Sequence, residues 1–206
     1  MGDIKPLDAE QKMLFDMLQN KDIKVQMILG SFGCGKSFLA LAHAIDFVQR
    51  GYYDGIVFVR NNYTLKDTRD IGALPGTELE KIYPFLMPIA DHVGGPMALD
   101  QMIEDAIIEP VHLGFLRGRD IQRKIIFCDE CENMTKQQMQ LLIGRISKGS
   151  QLWLIGDRKQ TDSAVFEKNS GIQAVANSLA GDPLFGMVKL IQSHRSDAAK
   201  LADKLD

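Results

Sequence analysis

The chain has 206 residues, 45% of them hydrophobic and 25% charged, which suits one globular domain and excludes wholesale disorder. Its net charge of −3 means that any nucleic-acid contact must come from a local basic patch and not from a basic chain. No apolar run approaches the roughly 20 residues of a membrane-spanning helix, and no basic start leads into an apolar stretch, so neither a span nor a secretory leader is expected.

Asp8 is placed to cap a first helix running to about Asn20, with Gln11 in the capping-box position. Val25 to Leu29 is a short apolar run that stops at glycine, which reads as a buried strand. A Gly-rich loop follows. Leu39, Leu41, Ala42, Ile45 and Val48 then recur at helical spacing, and Gly51 closes that helix. Ile56 to Val59 is the next strand, which completes a βαβ unit. Asn61 to Gly76 reads as a long loop. Thr77 to Val93 reads as helical, ended or kinked by Pro84 and Pro88. Gly94-Gly95-Pro96 is a break, and Ala98 to Glu109, with Met102, Ile103 and Ala106, reads as an amphipathic helix.

Arg117-Gly118-Arg119 sits in a turn. Lys124 to Cys128 is an apolar strand ending in Asp129-Glu130, and Thr135 caps a helix through Met139, Leu142 and Ile146. Leu152 to Ile155 is a strand ending in Gly156-Asp157, Gly171 to Leu179 a helix, and Met187 to Ile191 a last strand. Strands alternating with helices predict an α/β fold with a parallel, doubly wound sheet and ligand chemistry at the strands' C-terminal ends. There is no internal repeat and no low-complexity segment.

Gly30-Ser31-Phe32-Gly33-Cys34-Gly35-Lys36-Ser37 fits the phosphate-loop pattern G-x-x-x-x-G-K-[ST], between a strand and a helix as that motif requires. Glycines let the backbone curl so that successive N–H groups face phosphate oxygens, and the following helix adds the positive end of its dipole. Lys36 can reach the β- and γ-phosphates, and the Ser37 hydroxyl is a Mg²⁺ ligand. Nucleotide contacts, with ATP as the nucleotide, are expected over Gly30 to Ser37 and at the adjoining Phe38.

The strand Ile125 to Cys128 delivers two carboxylates. Asp129 is placed to hold Mg²⁺ directly or through water, and Glu130, expected on the opposite face, to orient or deprotonate the attacking water. A kinase needs no such water base, so the pair favours hydrolysis. Gln160, in Gly156-Asp157-Arg158-Lys159-Gln160, can bond the γ-phosphate or the water, or be a polar loop residue. Arg195 follows the last strand and can meet the γ-phosphate or lie on the surface.

The three cysteines are Cys34, Cys128 and Cys131, an odd set without framework spacing that suits a reducing cytoplasm. Cys128 and Cys131 have C-x-x-C spacing but lack two further ligands for a metal, so Cys128 reads as core and Cys131 as incidental.

Together these motifs resemble the PhoH family of P-loop ATPases. Asp8-Ala9-Glu10-Gln11 is similar to that family's upstream glutamine element, which implies a nucleotide contact at Gln11. Ile71 to Gly76 and Glu80 to Pro88 resemble a segment peculiar to the family, and Phe115-Leu116-Arg117-Gly118-Arg119 resembles its arginine motif. Asp129-Glu130-Cys131-Glu132-Asn133-Met134-Thr135 resembles its D-E-x-Q-N-x-T run, with Glu132 where family members usually carry glutamine. Gly156 to Gln160 resembles its G-D-x-x-Q run, and Asn61-Asn62 replaces a Pro-rich loop start.

The resemblance spans roughly residues 8 to 205. It implies a P-loop NTPase fold with a RecA/helicase-like parallel sheet flanked by helices, in one domain over residues 1–206. The glutamine element then belongs to a helix within residues 1–22, and no additional RNA-binding or nuclease domain is expected. The resemblance further implies an ATP- and Mg²⁺-dependent hydrolase that works as a homo-oligomeric ring, such as a hexamer, on RNA or single-stranded DNA. Arg117 or Arg119 can complete a neighbour's site in trans, contact nucleic-acid phosphates, or form a solvated turn. Two rival activities stay open: a small-molecule kinase with these arginines in a lid, and a non-enzymatic scaffold gated by nucleotide.

Overall fold

A computed structural model describes residues 4–31, 33–60, 78–157 and 170–194. The loop expected over 61–76 lies outside the described residues, as do Phe32, Gln160 and Arg195.

The first helix is α1 (Ala9–Gln19), whose cap is the Asp8 carboxylate accepting the Gln11 N–H at 2.7 Å. The return bond of the expected capping box goes elsewhere: Gln11 Oε1 accepts the Leu7 N–H at 2.8 Å. β1 (Val25–Gly30) leads through the loop into α2 (Lys36–Gln49), and β2 (Gly55–Arg60) follows. Both prolines break the next helical stretch. It divides into α3 (Glu78–Ile82), a 3-10 turn (Tyr83–Leu86) with Pro84 at its start, and α4 (Met87–Val93) with Pro88 in its first turn. Gly94 and Gly95 then turn the chain in left-handed conformations, with φ of 106° and 107°.

The helix expected to reach Glu109 stops at Glu104: α5 spans Pro96–Glu104, and Ile108–His112 is a strand, β3. A helix continued past Glu109 would drive the Pro110 ring into the carbonyl of Ala106. Ala106 instead turns left-handed at φ 56°, and the chain pairs with β2 from Ile56↔Ile108 to Arg60↔His112. The sheet tolerates the proline because β3 is an edge strand. Ile56 N–H donates to Ile107 O, so the odd-numbered residues of β3 direct their backbone groups at β2 and the nitrogen of Pro110 faces the edge that has no partner strand among the described residues.

A 3-10 turn (Leu113–Leu116) leads on to β4 (Lys124–Cys128), a second short turn (Cys131–Asn133), and α6 (Lys136–Ile143), capped by Thr135 in a full capping box. β5 (Gln151–Gly156), α7 (Gly171–Ser178) and β6 (Phe185–Leu190) complete the described elements.

The six strands form one wholly parallel sheet in the order β3-β2-β4-β5-β1-β6. Alternate side chains of each strand enter separate cores. Ile28, Phe58, Phe127 and Trp153 pack with α1 and α2 on one face. Met27, Val57, Ile126 and Leu154 pack with α6 and α7 on the other. Burial on both faces is why the central strands read as largely apolar runs. With every strand parallel, the ends of β1, β4, β5 and β6 share one rim, and β5 lies between the strand bearing the glycine loop and the strand bearing the acidic pair. Helices against a parallel sheet with a phosphate loop after β1 constitute a P-loop NTPase α/β fold. Among the described residues no helix is long and apolar enough to cross a membrane.

Candidate functional site

The loop after β1 takes the shape its glycines permit. Gly33 and Gly35 adopt left-handed backbone conformations, with φ of 80° and 82°, and Gly35 is the N-cap of α2. Gly30 is required for space: a Cβ there would lie 2.5 Å from the Cys34 sulfur and 2.8 Å from Leu190 O. Cys34 is fully buried beneath the loop. Lys36 Nζ lies 3.3 Å from Ser31 O, folded back over the loop where an anion would sit.

Two elements bring hard oxygen donors together. Ser37, in the first turn of α2, donates through Oγ to Asp129 Oδ1 at 3.0 Å, across 92 residues of sequence. A hydroxyl beside a carboxylate is a donor set that fits Mg²⁺, which takes few protein ligands and shares the remainder with water and phosphate. Among the described residues no group of three or more His, Cys, Asp or Glu could hold a metal by itself.

Lys36, Ser37, Asp129 and Glu130 line one cavity of about 500 Å³, in the size range of small-molecule sites. Glu130 was expected on the opposite face from Asp129, yet both face this cavity. The reason is local: β4 ends at Cys128, so strand alternation no longer applies, and Glu130 turns left-handed at φ 52°. Such a backbone is strained for a glutamate and persists only where its surroundings hold it.

The cavity's fourth wall was not legible in the sequence. Pro88, Ile89, Asp91 and His92 of α4 line the same cavity as the acidic pair, and the His92 ring meets Phe38 edge-on at 5.5 Å. The one available signal was the segment ending at Pro88. Phe38 itself is half-buried. Cys131 is not incidental: it is buried, its sulfur packs beneath Gly156, and burial pushes its thiol well above the ordinary range. A separate cavity of about 430 Å³ between α1 and the far half of α2 is lined by Phe15, His43, Phe47 and Tyr52 and holds none of the motif residues.

Glu132 also lines the site and is only 6% exposed. Burial pushes its carboxyl up from 4.5 to about 7, and Glu130 and Asp129 push the same way, against the hydrogen bond from the Asp157 N–H. The folded state therefore holds this proton more tightly than the unfolded chain. Its stabilising contribution is complete below pH 4.5 and lost as pH rises through about 7. Glu132→Gln is expected to raise stability relative to the parent at pH 8 by roughly 2–3 kcal/mol more than at pH 4.5. Thermal unfolding of nucleotide-free protein at the two pH values measures this, and a gain independent of pH would contradict it.

The glutamine element reaches the loop through the chain after β6. His194 N–H donates to Gly33 O at 3.2 Å, and its Nε2 lies 2.7 Å from Asp8 Oδ2. Ile191 N–H donates to Glu10 at 3.1 Å. The Gln11 N–H, then His194, hold the Asp8 carboxyl below its ordinary value. Gln11 is itself buried at the start of α1 and is not among the cavity residues.

The two arginines part company. Arg119 pairs with Glu109 at 2.7 Å, where Lys124 also binds at 2.8 Å. Arg117 is exposed beside Gly118, which turns left-handed at φ 78°, and beside the exposed ring of Phe115. Neither arginine lines the cavity.

A family model described as PhoH-like protein matches residues 3–202. Protein PhoH2 of Bacillus subtilis (strain 168) is 33% identical over 211 residues, covering 98% of this chain and 47% of its own length. Protein PhoH2 of Mycolicibacterium smegmatis is 30% identical over 201 residues, covering 96% of this chain and 46% of its own. A PhoH-like protein of Bacillus subtilis is 30% identical over 168 residues, covering 80% and 52%. The chain spans about half the length of the curated relatives it matches. With a matched span running from before α1 to beyond β6, and with the glycine loop and the acidic pair brought to one rim, the chain belongs to the PhoH family.

Proposed function

We propose that the chain binds ATP and hydrolyses it with Mg²⁺. The observation that carries this reading is the convergence of Lys36, Ser37, Asp129 and Glu130 on one cavity, with Ser37 Oγ and Asp129 Oδ1 3.0 Å apart. Loop N–H groups over Gly30 to Ser37 hold the phosphates, and Lys36 meets the β- and γ-oxygens. Ser37 and Asp129 hold Mg²⁺, which neutralises phosphate charge when bound. Glu130 orients a water and takes its proton as the water oxygen bonds to the γ-phosphorus. The bond from that phosphorus to the β–γ bridging oxygen breaks, and ADP and phosphate leave. Gln160 and Arg195 are proposed to contact the γ-phosphate or the water, and Gln11 and Phe38 to contact the nucleotide.

The working form is proposed as a single ATPase domain in a homo-oligomeric ring acting on RNA or single-stranded DNA. Buried cysteines that form no disulfide suit the cytoplasm as its location. Phosphate release from Mg-ATP, with and without RNA or single-stranded DNA, on protein of known solution mass tests the reading. Release without an acceptor supports hydrolysis. Phosphorylation of an added small molecule without release supports the kinase, and tight binding without turnover supports the scaffold.

Arg117 is the better candidate to act in trans, because Arg119 is already held by Glu109. An arginine supplied across an interface contributes roughly 10³-fold in other P-loop enzymes. Mixing Arg117→Ala with Lys36→Ala is expected to restore activity, since some interfaces then join an intact loop to an intact arginine. No recovery in a mixture shown to exchange subunits would refute the trans role.

A further inference from the structure

Glu132 is a buried acid in the cavity for which the hydrolysis scheme has no use. It belongs to the short turn that follows the acidic pair, yet its carboxylate reaches the neighbouring strand. Oε2 accepts the N–H of Asp157, the first residue beyond β5, at 3.1 Å. The sheet offers no acceptor there, because the pairing of β5 ends at Leu154↔Cys128 on one side and Gly156↔Leu29 on the other. Glu132 thus continues the hydrogen bonding where the ladder stops.

The fit is close. A Cβ on Gly156 would lie 2.7 Å from Glu132 Oε2 and 2.8 Å from Cys131 Sγ, so the turn rests directly on the strand end. The same turn begins at Glu130, which has a left-handed backbone: Asn133 N–H donates to Glu130 O at 3.2 Å and Met134 N–H to Cys131 O at 3.2 Å. Both bonds lie within the turn. The Glu132–Asp157 bond ties it to the neighbouring strand.

We propose that Glu132 is a positioning residue: by fastening the turn to the end of β5 it holds Glu130 in its strained conformation and its carboxylate at the cavity. The inference rests on Glu130 being the water base. An amide at this position could accept the same N–H, so Glu132→Gln conserves the fastening, whereas Glu132→Met fills the space without an acceptor. Glu132→Ala, which cannot crowd Gly156, is a second arm.

Turnover, ATP affinity, melting temperature and amide exchange of the peptide containing Asp157 are measured for all three variants. Methionine and alanine are expected to speed that exchange and to lower kcat about 10- to 100-fold, the effect of misplacing a reacting group by about 1 Å. ATP affinity should stay within about threefold, and glutamine should restore both exchange and kcat. Unchanged kcat in the methionine and alanine variants, equal loss with glutamine, or a loss of kcat that merely follows the unfolded fraction would overturn the proposal. Faster exchange with unchanged kcat, where Glu130→Gln also leaves kcat unchanged, would show instead that the assignment of Glu130 as the base had failed.

Discussion

Replacing Glu130 by glutamine is expected to leave ATP bound and to cut hydrolysis by about 10²-fold or more, the range for loss of a general base. The exchange keeps the shape of the side chain and removes only its capacity to take a proton. Glu130 is suited to the role because it is exposed within the cavity, where water can reach it, and stands next to Asp129, the proposed Mg²⁺ ligand. Single-turnover phosphate release and equilibrium ATP binding, measured on the same sample, separate the chemical step from affinity. A fall of less than threefold would remove Glu130 from the chemistry and make Gln160 the better candidate.

Lys36→Ala is expected to weaken ATP binding by roughly 10- to 100-fold, because one or more charge-assisted hydrogen bonds of about 1.5–3 kcal/mol each disappear. In the structure the ammonium rests on the loop's own carbonyl at Ser31, 3.3 Å away, an exposed contact that a phosphate can replace at little cost. Titration with ATP and the rate of phosphate release both report the loss. Unchanged values would remove the basis for reading Gly30 to Ser37 as a phosphate site.

Much of this architecture was legible because local chemistry and tertiary structure agree. The apolar runs at Val25, Ile56, Lys124 and Leu152 became parallel strands, since a strand buried on both faces is predominantly apolar. Asp8 and Thr135 became caps, and the glycine loop lies between strand and helix as its motif demands. What remained hidden depends on contacts remote in sequence. The first two residues of β3, Ile108 and Glu109, read as the end of a helix until β2 is there to pair with them. The strand period ends at Cys128, so no alternation could assign a direction to Glu130. The difference between Arg117 and Arg119 is set by Glu109, ten residues before Arg119 on a strand that the sequence did not reveal. His92 lines the site from α4, where its ring meets Phe38 of α2, and no spacing rule links it to Ser37.

Pro110 has a consequence beyond the boundary of a helix. A parallel sheet with an open flank can recruit a foreign strand, and such recruitment is a route to swapped or fibrillar assemblies. At β3 the outward-facing nitrogen carries no hydrogen, so a strand arriving there would meet a missing donor in the middle of the five residues Ile108–His112. Addition of a strand along that flank is thereby disfavoured at its centre, which blunts the edge against pairing.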